Sequence, residues 1–261
     1  ISELSGISRV STPSMGLVCA DFDVDGDIDI YVCNDGQPNC LFQNDGTGKF
    51  EDVGLLMGAA CDFSGKANSS MGVDCGDYDR DGLLDLIVTN YQAEMPVLYH
   101  NLGGGLFEDA TNRERITHAL FPHVNWGTTF ADFDNDGNQD LFIACGHFDR
   151  IEQIDDRTTQ KVRNFLLANE DGKFVDMSSD AGDGLQVIES SRGAAFEDFD
   201  NDGDMDAVVL NSDAQPTLLR NDSDSRNHWV ELELSQDGDN TQAVGALVVV
   251  NTFIDGKPAG S

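Results

Sequence analysis

Positive charge is what this sequence has least of. Lys and Arg total 15 against 48 Asp and Glu in 261 residues, a formal net charge of −33. Nucleic-acid binding rests on Lys and Arg neutralising phosphates, so that class is excluded. Anionic membrane surfaces are disfavoured for the same reason. No run of 18 apolar residues occurs, so no transmembrane helix and no membrane insertion is expected. Catalytic signatures are missing as well. There is no HExxH, no Ser-His-Asp spacing and no glycine loop fit to cradle phosphate. Among the six cysteines no Cys-x-x-Cys and no zinc spacing is found. A signal peptide is absent too, and the chain starts at Ile1, which reads as a processed chain or an excised fragment.

What the sequence has in abundance is aspartate, and it is ordered. The pattern D-x-D-x-D-G-x-x-D runs from Asp21 to Asp29 and returns at Asp77–Asp85, Asp132–Asp140 and Asp198–Asp206. The first aspartates lie 56, 55 and 66 residues apart (77−21, 132−77, 198−132). A period of that size is the mark of a repeat architecture.

The spacing has a chemistry. Calcium takes about 6–8 hard oxygen ligands, and carboxylates at alternate positions of a tight loop supply them. In the first copy Asp21, Asp23 and Asp25 each offer an oxygen, Asp27 offers its carbonyl, and Asp29 closes the shell. Gly26 permits the sharp turn, because glycine takes positive φ without penalty. The second set is Asp77, Asp79, Asp81, the Leu83 carbonyl and Asp85. The third is Asp132, Asp134, Asp136, the Asn138 carbonyl and Asp140; the fourth is Asp198, Asp200, Asp202, the Asp204 carbonyl and Asp206. About four Ca2+ ions are expected, bringing the net charge to about −25 (−33 + 8). An EF-hand would need a bidentate Glu at the twelfth position, where this chain has Val32, Val88, Ile143 and Val209. Four acidic Asp-Gly turns kept for solubility are the alternative.

Apolar, β-branched runs flank every loop, so each loop joins two strands. The first repeat gives strands at Met15–Phe22, Ile28–Cys33, Cys40–Gln43 and Lys49–Val53, with a hairpin turn at Asn44–Gly48. The second gives Met71–Tyr78, Leu84–Thr89, Val97–His100 and Leu106–Ala110. The third gives Trp126–Phe133, Gln139–Cys145, Phe165–Ala168 and Lys173–Met177, and the fourth only Arg192–Phe199, Met205–Leu210 and Thr217–Arg220. Four short strands per repeat is the layout of a β-propeller blade. Blades are placed at 15–70, 71–125, 126–191 and 192–221, after a 1–14 tail of a preceding repeat. An insertion, His147–Val162, lengthens the third repeat and reads as a solvated loop or a binding loop. After Asn221 the pattern breaks, and Arg226–Leu234 and Val244–Val250 read as a separate hairpin within 222–261.

Cys19 and Cys75 share one repeat position with Phe130 and Phe196, which marks them as small buried hydrophobes. Cys33 and Cys40 are placed for a cross-strand disulfide. Asn68-Ser69-Ser70 and Asn221-Asp222-Ser223 match glycosylation sequons.

The unit of aromatic-Asp-x-Asp-Gly loop, apolar strand, Leu-aromatic-x-Asn-x-x-Gly-x-Phe and Asp resembles the FG-GAP/VCBS repeat. It is carried in full by Asp21–Val53 and Asp77–Ala110, and the resemblance spans residues 15–221. That resemblance implies an all-β fold, a β-propeller of FG-GAP/VCBS-type blades like those of integrin α-subunit heads, with calcium in the loop between the first two strands of each blade. Asn227-His228-Trp229 and Ala243-Val244-Gly245-Ala246 are similar to the ASPIC/UnbV segment, from which Thr241, Gln242 and Leu247 depart. The resemblance implies a secreted or cell-surface protein used in adhesion or matrix interaction, and no enzyme. A protein or glycan ligand is expected and is not specified by the sequence. A polysaccharide-degrading enzyme would have to draw on His118, His123, His147, Arg192 and Tyr91; a carbohydrate-binding module would draw on Trp126, Trp229 or Tyr91.

Overall fold

The computed structural model describes every residue except 1, 224–226, 231, 239, 244, 247, 251–252, 255–256 and 259–261. It divides into residues 1–228 and residues 229–261.

The first unit is built of four antiparallel sheets in chain order, each a meander. Blade 1 comprises β1 (Ser14–Ala20), β2 (Asp29–Asn34), β3 (Cys40–Asn44) and β4 (Phe50–Asp52). Blade 2 comprises β5 (Ser70–Gly76), β6 (Asp85–Asn90), β7 (Val97–Asn101) and β8 (Phe107–Asp109). Blade 3 comprises β9 (Asn125–Ala131), β10 (Asp140–Cys145), β11 (Phe165–Glu170) and β12 (Lys173–Asp176). Blade 4 has three strands, β13 (Ser191–Glu197), β14 (Asp206–Asn211) and β15 (Thr217–Leu219). These spans follow the sequence pattern to within two residues at most ends. The reason is that alternating apolar residues fix both the extent and the facing of a strand.

The core lies between blades. One apolar cluster joins Phe22, Tyr31 and Leu41 of blade 1 to Leu86, Val88 and Tyr99 of blade 2. A second joins Tyr78, Ile87 and Leu98 to Phe130, Leu141 and Phe165, and a third joins Phe142 and Ala144 to Val209 and Phe196. Inner strands β1, β5, β9 and β13 stand side by side in that order, because glycines let their backbones approach. A Cβ on Gly16 would lie 3.0 Å from the Met71 carbonyl oxygen, and one on Gly127 would lie 3.1 Å from that of Arg192. A Cβ on the equivalent Gly193 would meet nothing within 4 Å. Among the described residues, no strand pairing, hydrogen bond or apolar cluster joins blade 4 to blade 1.

The segment before blade 1 holds a short helix (Ser2–Ser5) and a 3-10 turn (Ile7–Arg9). Gly6, at φ 88°, lies against the Phe50 carbonyl as Gly58, at φ 79°, lies against that of Phe107. Residues 2–10 therefore sit on blade 1 as the end of the first repeat sits on blade 2.

Three expectations are corrected. All six cysteines are free; Cys33 instead donates to the Gly72 carbonyl, and the Asn34 amide reaches the Cys40 sulfur. Cys19 is exposed, on the outward side of β1, while Cys75 is half-buried. The described residues of 226–234 and 244–250 carry no strand, and Arg226, Glu231, Val244 and Leu247 lie outside the described residues. The apolar side chains there, Trp229, Val230, Leu232 and Leu234, are exposed, so no buried face drives strand formation. Two short strands, β16 (Phe253–Ile254) and β17 (Lys257–Pro258), pair with each other further on. Among the described residues no helix is long and apolar enough to cross a membrane.

Candidate metal centres

Each aspartate loop follows the inner strand of its blade and is wound by its own side chains. In blade 1 the Asp25 and Gly26 amides donate to the two Asp21 carboxylate oxygens at 3.1 and 2.9 Å, and the Asp27 amide donates to Asp25 at 2.9 Å. The same three bonds recur at Asp77 and Asp81 (3.0, 3.0 and 2.9 Å), at Asp132 and Asp136 (3.0, 2.8 and 2.7 Å) and at Asp198 and Asp202 (3.1, 2.8 and 3.0 Å). Residues Val24, Arg80, Asn135 and Asn201 take positive φ to close the turn.

The winding brings carboxylates together. One oxygen each of Asp21, Asp23 and Asp29 lie within 4.8 Å of one another; so do those of Asp77, Asp79 and Asp81, of Asp132, Asp134 and Asp136, and of Asp198, Asp200 and Asp206. Asp25 and Asp27 fall outside the first group, and the Asp27 carboxylate faces the Gly46 turn. Asp140 and Asp202 fall outside theirs, and Asn138 turns its amide onto Asp136 at 2.9 Å. Asp85 groups instead with Asp79 and His100, whose Nδ1 lies 3.2 Å from Asp85 and 3.4 Å from Asp79.

Burial acts against charge in these loops. It raises the Asp29 carboxyl to about 6, and Asp85 and Asp140 to about 7, with neighbouring aspartates adding to the shift. Burial likewise raises Asp77, Asp132 and Asp134. Hard oxygen donors, packed closely enough to disfavour their own ionisation, fit a divalent cation of the calcium type. Bound there, calcium would neutralise the cluster and tie the two flanking strands; the three aspartates grouped in each loop would hold it.

The closing aspartates have a second task that the sequence did not disclose. Asp29 accepts the Phe22 amide at 3.2 Å and the Asn44 amide at 2.9 Å. Asp85, Asp140 and Asp206 accept the equivalent pairs, from Tyr78 and Asn101, Phe133 and Asn169, and Phe199 and Asn221. Each therefore clips its loop to the third strand of its blade. The asparagine so held reaches backward across the blade junction. Asn101 donates to the Phe22 carbonyl at 2.9 Å, Asn169 to that of Tyr78 at 2.8 Å and Asn221 to that of Phe133 at 2.7 Å. Asn44 finds only Ile28 of its own blade, at 3.1 Å. The recurrence of Asn after an aromatic strand was the visible signal; its cross-blade partner was not. Neither sequon is presented to solvent, since Asn68 is buried and Asn221 is committed to Phe133.

The residue before that asparagine faces the metal cluster and differs in every blade. Gln43 donates to Asp23, His100 lies beside Asp79, Ala168 has no polar group, and Arg220 stands 3.8 Å from Asp200.

At the other end of the inner strands a polar and aromatic group forms around the insertion. Arg192 lies over the Trp126 ring at 4.7 Å and donates to the His147 carbonyl at 2.9 Å. Tyr91 packs edge-on to His147, and Phe148 flanks both. His118 is exposed and His123 stacks on Phe165, so neither joins this group. His147 Nε2 meets Gln92 at 3.0 Å and its Nδ1 accepts the Phe148 amide at 2.7 Å, so both ring nitrogens are engaged.

An FG-GAP-like repeat family model matches residues 21–88 and 77–143, so residues 21–143 carry repeats of this kind. Cartilage acidic protein 1 of Mus musculus is 26% identical over 210 residues, and that of Xenopus tropicalis is 26% identical over 209. Each alignment covers 78% of this chain, which spans about 30% of the length of either relative. Among solved structures, an Agrocybe aegerita lectin described as recognising non-reducing terminal N-acetylglucosamine aligns at TM-score 0.41 and 18% identity, over 78% of this chain and 51% of that one. A Bacillus licheniformis rhamnogalacturonan lyase aligns at TM-score 0.43 and 10% identity, over 82% of this chain and 41% of that one.

Proposed function

We propose that this chain, with its FG-GAP-like repeats and its resemblance to cartilage acidic protein 1, is a calcium-stabilised propeller segment that serves outside the cell as a scaffold for a protein or matrix partner. The observation that carries the reading is the fourfold convergence of three carboxylate oxygens within 4.8 Å, in loops wound by identical hydrogen bonds. A charge of −33 suits a calcium-containing medium and a cationic partner. The role is not enzymatic in this reading, because both nitrogens of His147 and the guanidinium of Arg192 are taken up by the protein itself.

Calorimetric titration of EDTA-stripped protein with calcium tests the metal assignment. The expected result is about four sites per chain and a large calcium-dependent rise in melting temperature. Binding of one ion or fewer, with no change in melting, would leave four acidic turns and no metal centre.

A carbohydrate ligand is the second reading. It is favoured by Trp126 beneath Arg192 and by the Tyr91–Phe148 pair on His147, whose carbonyl Arg192 reaches, since aromatic faces stack on sugars. Binding on a glycan array that disappears in Trp126→Ala would move the assignment to this group.

A further inference from the structure

Among the described residues blade 4 has no outer strand, and the gap has a shape. In blade 2 the aromatic that begins the outer strand, Phe107, is buried and packs edge-on against Phe22 of blade 1, ring centroids 6.1 Å apart. Phe174 packs on Tyr78 from the equivalent position, tilted at 43° with centroids 5.8 Å apart. The next aromatic in the series, Phe133, packs edge-on against Phe196 of the inner strand β13 at 6.0 Å, and among the described residues it receives no ring from an outer strand. In its place is a cavity of about 710 Å³ between blades 3 and 4, floored by Phe133, Phe142, Leu166, Leu185, Met205 and Leu219.

Its hydrogen-bonding groups are also in position. The Phe107 amide donates to the Met57 carbonyl at 2.8 Å, and the Phe174 amide to that of Glu114 at 2.9 Å. Both acceptors sit in a turn in which the residue's own amide bonds four residues back, Met57 to Val53 and Glu114 to Ala110. The same turn occurs at Ala181, bonded to Met177 at 3.0 Å, but no donor among the described residues reaches the Ala181 carbonyl. On the opposite wall β15 is an edge strand. The carbonyls of Leu41, Leu98 and Leu166 accept an amide from the chain segment that follows the outer strand, whereas the equivalent Leu218 is 63% exposed and its carbonyl has no such partner among the described residues. Among the described residues after Asn221 none pairs with β15, and Asn227 donates to the Asp134 carbonyl in the blade 3 loop.

We propose that this cavity and the β15 edge form a docking site for an extended segment of a partner protein, which adds as the fourth strand of blade 4 and inserts an aromatic side chain onto Phe133. Charge selects the flanking residue. The rim carries exposed Asp180, Asp183 and Asp222, and its one cation among the described residues, Arg220, is already paired with Asp222 at 2.7 Å. The occupant therefore has Lys or Arg beside its aromatic, as blade 3 has Lys173, paired with Glu114, before Phe174. This deepens the scaffold reading and rests on it, by naming the partner chemistry that the scaffold accepts.

The test uses the full chain saturated with calcium and a blocked peptide Gly-Lys-Phe-Val-Asp-Met, which copies residues 172–177. Saturable binding is expected, with slower hydrogen exchange at Thr217–Leu219 in the complex. Replacing the peptide's Phe by Ala should abolish binding. The double substitution Asp180→Lys with Asp183→Lys alters exposed side chains only, so it should weaken binding at least about fivefold, as loss of two favourable charges at a rim does, with melting unchanged. Equal binding of the Ala peptide would overturn the proposal. So would slow exchange at Thr217–Leu219 in the free monomer, which would mean that the edge is already paired. A dimer in light scattering with the same protection would assign the site to a second copy and equally overturn it. A failed calcium titration would sink the scaffold reading whatever the peptide did, so the two failures are told apart.

Discussion

A carboxylate such as that of Asp29 is asked to do two things at once. It accepts two backbone amides and, with Asp21 and Asp23, faces a common point. Burial raises its protonation midpoint to about 6, and those of Asp85 and Asp140 to about 7, against the ordinary value near 4. The sign follows. A folded-state pKa above the unfolded one means that the folded, metal-free chain holds more protons between about pH 4 and pH 7, so its stability falls as pH rises through that window. Calcium requires the same groups deprotonated, so its affinity rises over the same window. Melting curves from pH 4 to 8 should therefore slope downward in EDTA and upward in millimolar calcium; parallel curves would refute the coupling. Asp21→Ala removes a ligand and the cap of its own loop together. With calcium at 100 times the dissociation constant, loss of one site costs about 2.7 kcal/mol, or roughly 5–10 °C in melting temperature. An unchanged melting temperature in millimolar calcium would remove Asp21 from the metal shell. The four sites should also differ. Arg220 places a cation beside Asp200 where Gln43 places a neutral amide beside Asp23, so blade 4 should bind calcium more weakly than blade 1, and Arg220→Gln should narrow the gap. Site-resolved titration by NMR of Gly203 and Gly26 would read the difference directly.

Between strands and blades, the asparagine that ends each third strand is the joining piece. Asn101→Ala would strip the buried Phe22 carbonyl of its donor across the junction, a loss of about 1–3 kcal/mol. Asn44→Ala removes only exposed bonds within its own blade, to the Ile28 carbonyl and from the Gly46 amide, and should cost less than about 1 kcal/mol. Urea unfolding of both variants would show the contrast, and equal losses would mean that the cross-blade bond carries nothing. The sequence makes these elements unequally legible. Strands show because their apolar alternation is local, and the metal loops show because their ligands lie within nine consecutive positions, Asp21–Asp29. Asn101 and Phe22 are 79 residues apart, and no local pattern tells an asparagine in a hairpin turn from one that bridges two sheets. The hairpin expected after Asn221 is not seen among the described residues of 226–234 and 244–250, for the complementary reason. Alternation at Trp229–Leu234 fits a strand, yet strands form when a partner buries one face, and these side chains are exposed.

Within the first unit the row of four blades has two unlike end members. Blade 1 presents Asn44, with its amide turned to its own chain, and blade 4 presents Gly193, with open space beside it, and a half-exposed Phe199. Every interior blade lends one apolar face to each neighbour, so stability is distributed over three junctions and not held in one centre. Stripping calcium from such an array loosens each loop separately. Unfolding in EDTA should therefore broaden and split by probe, whereas in calcium Trp126 fluorescence and far-UV dichroism should coincide.

The backward reach of the asparagines also sets an order in time. Phe22, Tyr78 and Phe133 each offer a carbonyl whose partner lies 79, 91 and 88 residues further along the chain. On a ribosome adding about 5–20 residues per second, each blade would wait about 4–18 s before the next one could seal it. Assembly is thus directional, every finished blade is provisional until its successor emerges, and among the described residues the Phe199 carbonyl of blade 4 has no such donor.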